Sequence, residues 1–511
     1  MGAASRGKRE QACRWGLGLV VVTYIFAACV RISHAPLWMD EVLAVTAARQ
    51  PSLAGVWQTI WTGTDFSPPT YHFGLHFLPG LDAHTLAVSR LPSVVAALCA
   101  AMCIHSIALR RFSPPVAMIA CGATLASPLL DFAVQARPYA LTTALFAATL
   151  AIWDTLPTAT RDRKAALFGL WAALSCCVSL HFYGVIAVGS LIVCEALWTV
   201  GNRALRWPVW GALAAVGPVF LAWLPLASHL HAISAIDQRA PGFYGRPTLG
   251  GLYYAYTGLL IGNTAQALVL AGVVASLAVT GLLAASKPAQ ASGGSFHSVG
   301  ADRNLAIMMI GLAVIPLGAF ALAAVATGSF VPRYAVGVTL LPGLAIATII
   351  AASPRAGLVA LLMVPFVEAS LLGQTADIDQ APPILSALKI LDRTPDHAPV
   401  LMGDGLLYIE TVEAAPADVR VRLGYIARPA DQPTPDPTNE NEVLRLSTLD
   451  GRFRVTPFDR AMHARVGFYL LKTISEQDDR AFVAALQRGA TATLVTSYGV
   501  TQLYHVSPRP Q

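Results

Sequence analysis

Ser33-His34-Ala35-Pro36-Leu37-Trp38-Met39-Asp40-Glu41 follows directly on an apolar run that begins at Trp15. Reading these nine residues decides the class of the chain. The run is near the length of about 20 residues that crosses a bilayer. Pro36 stops the helix, and two adjacent carboxylates then stand where the chain has just left the membrane. Acids at a membrane face are costly unless hydrated, paired or used, so Asp40-Glu41 is the first candidate for chemistry. A solvated loop after a transmembrane helix is the plainer alternative.

Working outward, similar runs recur. Spans are predicted at Trp15–Arg31, Thr85–Leu109, Pro114–Phe132, Tyr139–Leu156, Ala165–Leu180, Tyr183–Val200, Pro208–His229, Leu252–Ala285, Leu305–Thr327, Tyr334–Ala352 and Ala356–Leu372, about eleven in all. Composition agrees. Of the 511 residues, 55% are hydrophobic and 13% charged, against about 25% charged in a soluble domain. A short interfacial helix is expected around Leu252–Gly258, and Ala289–Gly300 reads as a flexible cytoplasmic loop. Arg6, Lys8, Arg9 and Arg14 before the first run also suit a signal peptide, but the spans that follow favour a retained helix.

Alternating the spans sorts the basic residues. Arg6, Lys8, Arg9, Arg14, Arg110, Arg111, Arg161, Arg163, Lys164, Arg203, Arg206, Lys287, Arg303 and Arg355 fall on one side; Arg31, Arg49, Arg90, Arg137, Arg239, Arg246 and Arg333 fall on the other. The positive-inside rule then puts the N-terminus in the cytoplasm of a multi-pass protein of the cytoplasmic (inner) membrane. The net charge of +6 is therefore an orientation signal, and no nucleic-acid partner is expected. Eight cysteines lie in or beside apolar runs without paired CxxC spacing, so neither a disulfide framework nor a zinc site is expected.

Two regions are expected: a membrane region 1–372, with a first outer loop at 33–84, and an extracytoplasmic α/β domain at 373–511. In the latter, short apolar runs such as Pro399–Met402 and Thr493–Val495 alternate with helix-like Ile384–Leu391 and Asp478–Gln487.

The predicted outer loops hold a mixture that the cytoplasmic loops lack. They carry Asp40-Glu41, Asp65-Phe66-Ser67-Pro68-Pro69-Thr70-Tyr71-His72, Gln135-Ala136-Arg137-Pro138-Tyr139, His181-Phe182-Tyr183 and Phe330-Val331-Pro332-Arg333-Tyr334. A carboxylate can take a proton from an acceptor hydroxyl, and an arginine fork can hold a phosphate. Trp38, Tyr71 and Tyr139 suit an interface and can pack on sugar faces. Singly, each motif has a plainer reading: Arg137 and Arg333 as snorkelling residues, Tyr139 and Tyr334 as belt aromatics, and His181 as a loop histidine. His72 and His76 have helical i, i+4 spacing that can bind a metal, but no third ligand is placed.

These motifs, in this order, resemble polyprenyl-phosphate-dependent glycosyltransferases of the GT-C fold, related to bacterial protein O-mannosyltransferases and aminoarabinose transferases. The resemblance covers the membrane region. It implies a polytopic helical fold and transfer of a hexosyl or pentosyl group, with inversion, from a polyprenyl-phosphate donor to a hydroxyl of an acceptor glycan, lipid or protein at the outer face. It further implies Asp40 as catalytic acid/base residue supported by Glu41, and Asp65 with His72 in the acceptor or metal region. Arg137 and Arg333 would hold the donor phosphate, while Trp38, Tyr71, Tyr139, His181, Tyr183 and Tyr334 contact sugar or lipid. Amphipathic helices would lie flat on the outer surface, with Thr46–Trp61 as one of them. No cofactor is certain; a divalent cation is possible. Ser67 stands where close relatives carry His, which leaves the role of that position open.

A secondary transporter or lipid flippase of the cell envelope is the competing reading, and a non-catalytic scaffold a third. Transporters place charged or broken helices near the midplane, whereas Asp154, Glu195 and Glu368 each lie nearer one end of a predicted span.

Overall fold

The computed structural model describes residues 3–81, 85–156, 163–262, 264–285, 302–376, 383–392, 394, 398–429, 437–463, 467–473 and 476–508. Arg161, Lys287 and the Ala289–Gly300 loop lie outside the described residues. Every predicted span is helical. Among the described residues, eight helices are long and apolar enough to cross a membrane: Gln11–His34, Ala87–Leu109, Arg163–Leu180, Phe182–Asn202, Trp207–Gln238, Arg303–Thr327, Pro332–Ala351 and Ala356–Thr375. Shorter apolar helices run at Pro114–Leu125, Tyr139–Thr155 and Gln266–Thr280. Large apolar side chains such as Trp15, Val22, Leu221 and Val325 are exposed on these helices, as a lipid-facing surface requires.

Several predicted runs are subdivided. Pro114–Phe132 breaks before Pro128, which disfavours helical geometry in the residue before it. Leu252–Ala285 is two helices, Leu249–Leu260 and Thr264–Ala285, so the short segment expected near Leu252 is a helix in its own right. Thr46–Trp61 requires correction: it is the end of helix Met39–Ala48 and a second helix, Leu53–Trp61. Pro51 lacks the N–H to continue the first, and Ser52 caps the second by accepting from the Gly55 N–H at 3.2 Å. All of Met39–Ala48 is buried, whereas Trp57 and Trp61 are each 39% exposed and stacked.

At the end of the bundle remote from Asp40, acids are locked. Asp154 pairs with Arg110 at 2.8 Å and with Arg111; Glu195 pairs with Arg206 and accepts from the Trp153 indole at 2.9 Å.

The C-terminal region is a six-stranded sheet with helices. Its strands are β1 (Val400–Met402), β2 (Leu423–Ile426), β3 (Val455–Thr456), β4 (Phe468–Thr473), β5 (Thr491–Tyr498) and β6 (Thr501–Ser507), in the order β3-β2-β1-β4-β6-β5. The β1, β2, β3 and β4 neighbours pair in parallel, and β6 pairs antiparallel with β4 and β5. One apolar cluster joins this domain to the membrane region: Leu37, Met39, Val42, Leu43, Val45 and Ala136 pack with Leu407, Tyr408, Val412 and Val443. Helix Met39–Ala48 is therefore clamped between bundle and sheet domain, which sets the position of Asp40 and Glu41.

Candidate active site

Glu41 is 0% exposed and Arg90, from the start of the second span, is 2% exposed. Arg90 donates from Nε to Glu41 Oε1 at 2.7 Å and from Nη2 to Oε2 at 2.6 Å, and also donates to the carbonyls of Ala35 and Pro36. The Ala136 N–H donates to Oε1 at 2.6 Å and the Trp38 N–H to Oε2 at 3.2 Å. All but the Trp38 bond tie Ala35–Glu41 to the second span or to the loop before Arg137. Glu41 is thus committed to holding its own helix in place, and its chemistry differs from that of its neighbour. Arg90, read from the sequence as an orientation charge, is the partner that reasoning along the chain missed.

Asp65 is equally committed. Arg137 pairs with Oδ2 through Nη1 and reaches Oδ1 through Nη2 at 3.3 Å. The Ser67 hydroxyl donates to Oδ1 at 2.9 Å, and His72 Nε2 meets Oδ2 at 3.1 Å, so Ser67 acts by fixing that carboxylate. Burial pushes the Asp65 carboxyl up, but the Arg137 charge and the His72 and Arg137 hydrogen bonds outweigh it and hold it well below the usual carboxylate range. Arg137 also donates to the Asp40 carbonyl at 3.0 Å. The guanidinium expected at the donor phosphate is thus engaged with the two loop acids, one by side chain and one by backbone.

Asp40 is held more loosely. Arg333 Nη2 lies 3.2 Å from its Oδ2, longer than the 2.7–2.9 Å usual for a charge-assisted bond. Arg333 is 21% exposed in its side chain, sits 5.3 Å from the Trp38 ring, and has a buried Nε without a partner among the described residues. It lines a pocket between the spans. Tyr139, His181, Tyr183 and Tyr334 line the polar end; Phe146, Ile186, Ile315 and Val336 line the apolar remainder.

The aromatic group is tightly arranged. Tyr183 and Tyr334 stack with centroids 4.1 Å apart, and His181 lies 5.4 Å from Tyr139 and 5.5 Å from Tyr334. The break at His181 is made by a short turn over Phe182–Gly184, whose first N–H bonds are capped by His181 Nδ1 accepting from the Tyr183 N–H at 3.1 Å. A Cβ on Gly184 would run into the Cys177 carbonyl, so this close approach requires glycine. Burial, with the charges of Arg137 and Arg333, pushes the His181 imidazole down to about 3 despite Asp65. Near neutral pH it is uncharged, and with Nδ1 accepting from Tyr183 its proton sits on Nε2.

Two expected residues stand elsewhere. Tyr71 is buried with Ala44, Ala48 and Leu75 beneath helix Met39–Ala48, apart from the residues that line this cavity. His72 turns to Asp65, His76 Nδ1 faces the Ala48 carbonyl at 2.9 Å, and among the described residues no three His, Cys, Asp or Glu side chains gather as ligands. With both loop aspartates facing guanidinium groups, a divalent cation does not fit the acids as they stand.

The sheet domain adds groups that the outer loops alone did not disclose. The Met39 N–H donates to Glu410 Oε1 at 3.0 Å, and Arg49 pairs with Glu413 at 3.0 Å. Burial pushes the Glu410 carboxyl up to about 7, assisted by the charges of Asp404, Glu41 and Asp40 against the Met39 hydrogen bond. Tyr244, in the loop after the Trp207–Gln238 span, stands close enough to Arg333 to feel its charge.

Among solved structures, the chain matches ArnT from Cupriavidus metallidurans bound to undecaprenyl phosphate with a TM-score of 0.56, at 15% identity, over 96% of this chain and 99% of that one. The chain carries the ArnT fold. The apo state of the same ArnT gives a TM-score of 0.54 at 15% identity, over 97% and 99%. The GT-C-like membrane fold expected from the loop motifs, with its small C-terminal α/β domain, is therefore present in this chain. No protein-family model matches the sequence, and no curated protein matches it.

Proposed function

We propose that the chain is a membrane glycosyltransferase that moves one sugar from a polyprenyl-phosphate-linked donor to an acceptor hydroxyl at the outer face of the cytoplasmic membrane. One observation carries the reading: a loosely paired carboxylate, Asp40, meets a partly exposed guanidinium, Arg333, at the mouth of a cavity with an aromatic end and an apolar remainder. A lipid phosphate needs that combination, with apolar walls for the chain and a cationic fork for the headgroup. The fold supports it, since ArnT in the same fold was solved with undecaprenyl phosphate bound.

In this reading Arg333 takes the donor phosphate, which loosens its hold on Asp40 and frees the carboxylate as a base. Asp40 accepts the acceptor proton as the acceptor oxygen bonds the anomeric carbon. The bond from that carbon to the phosphate oxygen breaks opposite, and polyprenyl phosphate leaves with the electron pair, giving inversion. The charge developing on the phosphate is met by Arg333, with Arg137 behind it fixing Asp65 and the Asp40 backbone. Trp38, Tyr139, His181, Tyr183 and Tyr334 surround the sugar. Residues 1–372 form the transfer unit and 373–511 the extracytoplasmic domain, with the N-terminus cytoplasmic.

Of the in-span acids that the transporter or flippase alternative would use, Asp154 and Glu195 are tied into ion pairs at the far end of the bundle, and Glu368 alone of the three keeps a buried oxygen without a hydrogen-bond partner among the described residues. Mass spectrometry of envelope glycans, lipids and proteins from cells with and without the gene tests the proposal. Loss of a single-sugar increment is the expected result, and identical profiles would refute it.

A further inference from the structure

Helix Thr438–Leu449 of the sheet domain is latched onto the loop that carries Asp65. Arg445 donates to the Gly63 carbonyl at 3.2 Å and lies 5.5 Å from the Phe66 ring, so it grips both sides of Thr64-Asp65. One turn earlier, Asn441 Nδ2 donates to Asp237 Oδ1 at 2.6 Å, at the end of the long Trp207–Gln238 span. Glu442 sits between these latches and is 3% exposed. Arg445 Nη1 donates to its Oε1 at 2.6 Å, while its buried Oε2 has no hydrogen-bond partner among the described residues. A buried carboxyl oxygen without a hydrogen-bond partner needs an account, and a hydroxyl that binds it supplies one.

We propose that Glu442 is an acceptor-recognising residue of the transfer site, supplied by the sheet domain, whose Oε2 hydrogen-bonds a hydroxyl of the acceptor entering beside Asp40 and Asp65. This rests on the sugar-transfer reading above and adds to it a group from outside the membrane region. The charged groups that face Glu442 are Arg445 on its own helix, Asp237 from the span, Asp40 from helix Met39–Ala48 and Asp65 from the loop. Burial pushes its carboxyl up to about 8; Arg445 pulls against this, and Asp237, Asp40 and Asp65 add to it. Near neutral pH the group is chiefly the uncharged acid, so Oε2–H donates to the acceptor oxygen. The acids nearest the reacting centre, Asp40 and Asp65, face guanidinium groups. An uncharged donor there selects a neutral, hydroxyl-bearing part of the acceptor.

The test uses the full chain in detergent, undecaprenyl-phosphate sugars as donor, and the envelope fraction of cells lacking the gene as acceptor pool. For Glu442→Leu, the half-saturating amount of envelope fraction should rise about tenfold, the worth of one hydrogen bond to a buried group, with half-saturation by donor unchanged. Glu442→Gln keeps an uncharged donor and should restore most of the acceptor affinity. The wild type should lose acceptor affinity as pH rises through about 8, and the Gln variant should not. Unchanged acceptor half-saturation in the Leu variant, or the same alkaline loss in the Gln variant, overturns the proposal. A parallel fall of donor affinity, acceptor affinity and thermal stability in both variants assigns Glu442 a packing role and overturns it too. Absence of transfer by the wild type instead overturns the sugar-transfer reading, and this inference with it.

Discussion

Replacing Glu41 by Gln, Arg90 by Met, and both together should give strongly non-additive losses of stability. Glu41 is fully buried and Arg90 is 2% exposed, so either single change leaves one charge buried without its partner, at a cost of about 3–5 kcal/mol. Independent effects would then sum to roughly 6–10 kcal/mol. The double variant removes both charges and keeps similar volume. What it still loses is the bonding of the Ala35 and Pro36 carbonyls and part of that of the Ala136 and Trp38 N–H groups, about 2–4 kcal/mol in total. The coupling is therefore several kcal/mol, read as the difference between the double variant and the sum of the singles. Denaturant unfolding in detergent micelles, followed by tryptophan fluorescence, measures it. Additive losses, or singles costing under about 1 kcal/mol, would refute the claim that this pair anchors helix Met39–Ala48.

Arg333→Ala should weaken binding of undecaprenyl phosphate by roughly 10- to 100-fold, the worth of a charge-assisted contact; calorimetry with the lipid in micelles checks this, and unaltered affinity removes Arg333 from the phosphate site. Arg137→Met should make stability depend differently on pH. In the wild type the Asp65 carboxyl titrates below its ordinary value of 3.8, so its contribution is complete above that value and is lost as pH falls below it. Without Arg137 the buried carboxyl titrates higher, and the stability deficit of the variant should shrink as pH falls from 7 to about 4. A deficit constant with pH would contradict this ion-pair account.

Much of the membrane region was legible because bilayer thickness constrains run length, so all predicted spans are helical. The convergence of Asp40, Asp65, Arg137, His181 and Arg333 was also legible, since loops at one end of a helical bundle must meet. Pairings within that convergence were not. Arg90 stands at a span entrance, where its charge reads as orientation, and only folding brings it to Glu41. Arg137 turns to Asp65 because a buried carboxylate needs its cation more than an open cavity does. Pro51 lies inside the Thr46–Trp61 stretch expected as one amphipathic helix, and the chain makes two helices there. Tyr71 and His72 share a short helix with no outward sign that it packs beneath helix Met39–Ala48. Glu442 and Arg445 carry no motif at all, and their place beside Asp65 follows from docking of the sheet domain.

The central claim is that Asp40 performs the proton transfer of a sugar-transfer reaction. Single-turnover transfer from a preformed complex with an undecaprenyl-phosphate sugar, comparing wild type with Asp40→Asn, tests it most directly. The account predicts a fall in rate of about 10²- to 10⁴-fold, the range of general base catalysis, with affinity for undecaprenyl phosphate retained within a few-fold. An unchanged rate would contradict it, as would a rate loss matched by an equal loss of donor affinity.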